Sequence, residues 1–254
     1  MRRILTLLLL PLIPLLAGGA TSPRLVPDVS QRTVDIQYSF KGAELLLFGA
    51  IVYPGGRTPK DPADVVVVLK GPERQISIRE KQKIAGIWVN ADSMRFQSAP
   101  SFYAIASSHP INRITDERTA AIYELSIGNI QLSPTSFSDS AEITRFVRGL
   151  IDLQERQGLF VQRAGTVEIT DGVLYRARLP LPARAVVGDY TAETFLIQDG
   201  RVVAAAIRDI QVRKSGFERF IAAAAEEWSF LYGLAATSIA VLMGLLAGWI
   251  GRRV

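Results

Sequence analysis

Twenty-three consecutive positions, Ser229 to Gly251, carry no charged side chain, and this run constrains the chain more than any other feature. As an α-helix it would be about 34 Å long, enough to cross a hydrocarbon layer of roughly 30 Å. Trp228 and Trp249 bracket it 21 residues apart, which places an indole near each membrane–water interface. Arg252 and Arg253 follow directly. Basic residues beside a spanning helix favour the cytoplasmic side, so the expected topology puts residues 252–254 inside and residues 21–228 outside.

The other terminus points the same way. Arg2 and Arg3 precede the apolar stretch Ile4 to Leu16, and the small residues Gly18 and Ala20 follow. Basic start, short apolar stretch and small-residue site make up a secretory signal peptide, with cleavage expected after Ala20. Thirteen apolar residues reach only about 20 Å as a helix, and Pro11 and Pro14 would disturb it, which argues against a second anchor.

The terminal arginines also explain the net charge. The chain carries +5 overall, yet residues 21–228 hold 25 basic and 24 acidic side chains, so the body has no excess for a nucleic-acid face and nucleic acid is not an expected partner. With no cysteine, disulfides, thiolate metal sites and Cys nucleophiles are excluded.

Within the apolar run, Gly233, Thr237, Ala240, Gly244 and Gly248 recur every three or four positions and draw one stripe of small residues. Small residues let helix backbones approach closely in lipid, so self-association and docking on another integral membrane protein are both open. Ahead of the run, Phe217, Phe220, Ile221, Ala224 and Trp228 share one helical face. Residues 216–228 are therefore expected to form an amphipathic juxtamembrane helix, lying at the interface or continuing into the span.

The intervening 21–215 region reads as mainly strand with one inserted helix. Val34, Ile36, Tyr38 and Phe40 alternate with polar residues, as a half-buried strand does. Leu45 to Val52 and Val65 to Leu69 are near-continuous apolar runs, expected to be central strands buried on both faces. Ile84 to Val89, Met94 to Gln97 and Phe102 to Ala106 are further strand candidates, with Trp88 and Phe102 assigned to the core as large aromatics. Asp171-Gly172 and Asp199-Gly200 signal tight turns between strands at Val173 to Leu179, Tyr190 to Ile197 and Val202 to Val212. Between the two strand-rich halves, Asp139 starts a helix of about residues 139–157 whose stripe is Ile143, Phe146, Val147, Leu150 and Ile151. A shorter helix is expected near Asp116 to Leu125. The fold class these elements favour is an immunoglobulin-like β-sandwich with an amphipathic helix inserted.

Chemistry is sparse in this sequence. His109 is the single histidine, in a Ser-Ser-His-Pro string without a nucleophile elbow, and it reads as a loop residue rather than as part of a Ser-His-acid triad. One His and no Cys leave only carboxylate sites for hard cations, and Asp61 and Asp64 lack the spacing of a calcium loop. Neither a metal nor a cofactor is expected, and an enzyme is not. Lys70, Arg74, Arg79, Lys81 and Lys83 form a local basic run. They are candidate anion contacts, against the plainer reading of a solvated sheet edge.

The strings Gly42-Ala-Glu-Leu-Leu-Leu-Phe-Gly-Ala50, Val66-Val-Val-Leu-Lys-Gly-Pro72, Ala85-Gly-Ile-Trp-Val-Asn90, Pro100-Ser-Phe-Tyr-Ala104 and Arg176-Ala-Arg-Leu-Pro-Leu-Pro182, with Gly188-Asp-Tyr190 and Leu231-Tyr-Gly-Leu234, resemble the alphaproteobacterial putative transmembrane protein family over nearly the whole chain. The resemblance implies an inner-membrane protein with one C-terminal span, no established activity and no catalytic or binding residues to carry over; with the topology expected above, the main domain is periplasmic. It also suggests an association with sulfite/taurine-exporter-type permeases. The expected role is a scaffold or accessory subunit of an inner-membrane complex, in contact with the bilayer and a membrane partner. The alternative is an anion-binding or sensing subunit for such a permease.

Overall fold

The computed structural model describes residues 22–36, 42–59, 61, 63–135, 139–214 and 224–251. The expected signal peptide, the second half of the Val34 to Phe40 strand, most of the juxtamembrane helix, Arg252 and Arg253 lie outside the described residues.

The chain is mainly β, as its patterning predicts. One four-stranded sheet runs in the order β1 (Arg24–Val29), β3 (Ala43–Val52), β11 (Leu174–Leu181) and β10 (Val167–Thr170). A six-stranded sheet runs β2 (Thr33–Ile36), β13 (Arg201–Lys214), β12 (Gly188–Gln198), β4 (Asp64–Lys70), β7 (Tyr103–Ser107) and β9 (Phe160–Ala164). Its β2/β13 and β7/β9 pairs are parallel, the others antiparallel. The C-terminal strands complete both sheets: β11 pairs with β3, and β12 with β4. Leu45, Leu47, Ile51, Tyr175 and Leu179 of the first sheet share one core with Val65 to Leu69, Tyr103 to Ala106, Leu196 and Ile210 of the second. Two sheets around one core are consistent with the sandwich style expected.

The two long apolar runs fare differently. Val65 to Leu69 is buried on both faces; the segment that follows β7 adds Ile111, Ile114, Ala120, Leu125 and Ile127 to the same core. It holds α1 (Ile111–Ile114) and α2 (Glu117–Ile122). The Asp116 side chain caps α2 by accepting from the Thr119 amide at 2.7 Å, replacing one of the backbone bonds a helix start lacks. By contrast β3 is buried on alternate residues only, with Phe48 and Val52 exposed. Its sheet is sealed by the core on one side, so the expectation of double burial there is corrected. A run of apolar residues does not reveal whether a second layer exists to cover it.

A third sheet stands on its own cluster. β5 (Glu73–Ile84) and β6 (Ile87–Pro100) form a long antiparallel hairpin, joined at its base by the short β8 (Ser133–Pro134). α3 (Ser140–Arg156) lies on one face, burying Phe146 and Leu150 against Met94, Phe96 and Ala99. The apolar stripe of α3 drives this packing, and Gly158 at φ +69° ends the segment in the left-handed region. Asp152 and Arg156 pair at 2.9 Å on the exposed side, worth a few tenths of a kcal/mol.

The expected single strand Ile84 to Val89 is the tip of this hairpin instead. Ile84 pairs with Ile87 across a two-residue turn in which Ala85 (φ 51°) and Gly86 (φ 86°) are both left-handed. That is the backbone of a hairpin turn normally built from Asn-Gly or Asp-Gly. Alanine there costs roughly 1–2 kcal/mol relative to a right-handed conformation.

Candidate functional site

Three places in the molecule bring together the residues singled out by sequence, and they differ in what they can do.

The first is the C-terminal helix α4 (Ser229–Gly251). It is apolar on all sides, and its described side chains from Ser229 to Gly248 are exposed. A helix of this length and hydropathy can cross a bilayer. Gly233, Thr237, Ala240, Gly244 and Gly248 fall on one face, at helical spacing. The Thr237 hydroxyl donates to the Gly233 carbonyl at 2.8 Å, and that of Ser238 to Leu234 at 2.8 Å. Both hydroxyls are thus satisfied within the helix, as lipid requires. A Cβ at Gly233 or Gly244 would meet nothing within 4 Å, so these glycines face open space, where small residues allow another backbone to approach closely. Trp228, at the entry to the helix, is exposed where an interfacial indole belongs.

The second is the basic run, which the structure divides. Lys70 ends β4 and points into the body, its Nζ 2.8 Å from Glu124 and 3.2 Å from Glu193. Burial alone would lower the Lys70 pKa, but the Glu124 hydrogen bond and the charges of both carboxylates outweigh it and hold the ammonium above its ordinary value. Tyr103 donates to the Glu124 carbonyl oxygen, and burial, reinforced by the charges of Glu124 and Glu193, pushes its phenol well above the usual range. Two cavities of about 420 Å³ flank the cluster. One is lined by Glu73, Glu124, Asp189 and Glu193 with Lys70 as its cation, an excess of negative charge that opposes an incoming anion.

Arg74, Arg79, Lys81 and Lys83 lie instead along β5, the edge strand of the hairpin sheet. Arg79 stands opposite Ser93, Lys81 opposite Asn90, and Lys83 opposite Trp88. Residues opposite one another share a face, so Arg79, Lys81 and Lys83 line up with Trp88, and with Arg95 opposite Ser77. All five side chains are exposed, and among the described residues none of the four cations is in an ion pair. Of the carboxylates of this hairpin, Glu80 and Asp92 lie on the other face, where Arg145 of α3 reaches them at 3.3 and 3.4 Å, and Glu73 stands at the base of the hairpin, bonded to the Ser98 hydroxyl.

Trp88 is the clearest departure from expectation. Phe102 is fully buried, as expected of a core aromatic, but Trp88 is 65% exposed at the hairpin tip beside Ile84, Ile87 and Val89, also exposed. No local sequence signal separates the two aromatics; Ala85-Gly86 lacks the Asn or Asp that marks such turns, and it is this turn that carries Trp88 to the exposed tip. Arg163, Arg176 and Arg178, which form no motif in the sequence, line with Glu44 and Glu168 an open cavity of about 660 Å³ between the first sheet and β9.

The third place is around His109. Its Nδ1 lies 2.7 Å from Asp64 Oδ1, and the Ser108 hydroxyl donates to the same oxygen at 2.6 Å. A catalytic triad needs the imidazole between hydroxyl and carboxylate. Here the carboxylate stands between the other two. Ser108 also accepts from the Val65 amide at 3.2 Å, so the trio ties the start of β4 to the end of β7, and among the described residues no cluster of three or more metal-ligating side chains forms.

A mainly β body and, among the described residues, one exposed apolar helix of bilayer length fit a membrane-anchored protein. The model of the family described as "Putative transmembrane protein (Alph_Pro_TM)" matches residues 24–253, and the chain belongs to that family. No curated protein matches it. Among solved structures it is similar to the sporulation control protein Spo0M from Bacillus subtilis, at 10% identity and a TM-score of 0.32, over 82% of this chain and 56% of that one.

Proposed function

We propose that this protein is a single-pass inner-membrane scaffold or accessory subunit without catalytic activity, its β body in the periplasm and its C-terminus in the cytoplasm. On this reading the N-terminal apolar segment is removed as a signal peptide, and α4 holds the body at the membrane while its small-residue face seats an integral membrane partner or a second copy. The observation that carries the reading is α4 itself: a bilayer-length apolar helix with exposed side chains, its small residues on one face and its hydroxyls satisfied internally. The test is in-cell crosslinking and detergent pull-down with Gly244→Ile combined with Gly248→Ile. The β-branched side chains should abolish capture of the partner while the far-UV circular dichroism of the body stays unchanged. Undiminished capture would refute the helix-face mechanism.

A second reading, an anion-sensing subunit for a sulfite/taurine-exporter-type permease, has one supporting observation. Arg163, Arg176 and Arg178 converge on one open cavity, a better collection of cations than the divided run from Lys70 to Lys83. A ligand that binds only the folded state raises its melting temperature. Sulfite, sulfate and taurine at millimolar concentration should therefore shift the full-length protein in detergent, and uniformly flat curves would remove this reading.

A further inference from the structure

We propose that the β5–β6 hairpin is a membrane-docking finger, whose tip enters the anionic surface of the bilayer that holds α4. Four observations converge on that occupant. Ile84, Ala85, Gly86, Ile87, Trp88 and Val89 form an unbroken apolar tip, with Ile84 at 55%, Ile87 at 68% and Trp88 at 65% exposure. Behind the tip, on the face Trp88 shares, Arg79, Lys81, Lys83 and Arg95 form a basic ladder with no carboxylate between Ser77 and the tip, Glu73 lying at the far end of the strand. Apolar tip, interfacial indole and flanking cations, in that order, match acyl boundary, headgroup level and anionic lipid charge.

The turn supplies the third observation. Two other hairpins in the same chain close through the same left-handed pair, Asp171 (φ 54°) with Gly172 (φ 66°) and Asp199 (φ 51°) with Gly200 (φ 76°). Both use Asp at the first position, the residue that tolerates this backbone and keeps a tip hydrated. The finger alone places Ala there, accepting backbone strain at the point where a polar side chain would keep the tip in water. Strain retained at an exposed position points to a contact made outside the domain.

The fourth is tethering. The span keeps the body beside a bilayer at high effective concentration, so a small apolar tip with a few cations suffices for docking. Each basic side chain near an anionic surface contributes about fivefold in partition. A second copy fits the same face poorly, because two ladders of like charge would oppose one another. The proposal shares the membrane anchor with the scaffold reading but not its protein partner; the readout below sees lipid alone.

The test uses the full-length protein, with Trp228→Phe and Trp249→Phe leaving Trp88 as the single indole, reconstituted in vesicles of phosphatidylcholine with and without about one-third phosphatidylglycerol. Brominated acyl chains report contact by quenching, and aqueous iodide reports exposure. The expected result is blue-shifted Trp88 emission, quenched by bromolipid and shielded from iodide, in the anionic vesicles. Lys81→Glu with Lys83→Glu should abolish most of that quenching with the body's circular dichroism intact. Trp88 emission that stays red-shifted and open to iodide in both lipids would overturn the proposal. Shielding from iodide without bromolipid quenching would overturn it too, and would assign the tip to a protein surface. Quenching unaffected by the charge reversals would remove the basic ladder from the argument and defeat the proposal in this form.

Discussion

The sheet pair and the finger are built from the same kind of strand, yet one is finished and the other is not. In the sheet pair, β4 has both faces buried and both its charged ends met, Lys70 by two carboxylates and Asp64 by Ser108 and His109. In the finger, α3 covers one face as far as the Arg145 contacts with Glu80 and Asp92, and beyond that point the strands continue for about 14 Å with apolar side chains in solvent. Polar satisfaction and apolar burial thus go together along β4 and part company at the tip, where Ile84, Ile87, Trp88 and Val89 are exposed as one contiguous group. A domain that encloses its own core has no stability reason to leave Ile87 and Trp88 outside, which locates recognition in the finger and support in the body.

The largest way to break this contrast is through the small cluster under α3. Phe96→Ala should cost about 3–5 kcal/mol locally, because an aromatic with no exposure is removed from a cluster with few other members. Hydrogen exchange should accelerate across residues 73–100 and 140–156 while amides of β4 and β12 stay protected. Equal acceleration in both regions would mean that finger and body unfold as one unit.

Next in size is Lys70→Met, which strands Glu124 and Glu193 in a partly buried site and should cost about 1–3 kcal/mol by denaturant unfolding. That cluster, together with Tyr190, whose buried hydroxyl donates to the Val186 carbonyl elsewhere in the core, predicts the pH response. Lys70, Tyr103 and Tyr190 all have folded-state pKa values raised above their ordinary ones, so the folded state holds their protons more tightly than the unfolded chain does. Their contribution is complete below about pH 10 and is lost as pH rises through the raised values. Thermal melts should show an alkaline decline that Tyr103→Phe makes shallower.

At the tip the expected effects are smaller and include one of opposite sign. Ala85→Gly should stabilise the isolated protein by up to about 1 kcal/mol by relieving the left-handed alanine. Trp88→Ser should change stability by no more than about 0.5 kcal/mol, since the side chain is mostly outside. Phe102→Ser, a change of the same kind in the core, should unfold the domain. A large loss from Trp88→Ser would erase the distinction between the two regions.

These regions were also unequally legible in the sequence. Asp171-Gly172 and Asp199-Gly200 announced their hairpins because their residue types match the turn backbone. α3 was readable from the spacing of Ile143, Phe146, Leu150 and Ile151, and α4 from length and lack of charge. Ala85-Gly86 was hidden because alanine gives no turn signal, and with it went the true place of Trp88. The ion pairs of Lys70 were illegible for another reason: the sheet order brings Glu193 of β12 to the end of β4, and the fold of the segment after α2 brings Glu124 there. Local chemistry reads locally, whereas the partners of a buried charge are a property of topology.

The most direct test of the account is in-cell photocrosslinking from three positions of the full-length protein: Ala240 on the small face of α4, Trp88 at the finger tip, and Arg201 beside the Asp199-Gly200 turn of the body. The account predicts protein adducts from Ala240, lipid adducts from Trp88 and neither from Arg201. Adducts from Arg201 as abundant as those from the other two, or none from Ala240, would contradict it.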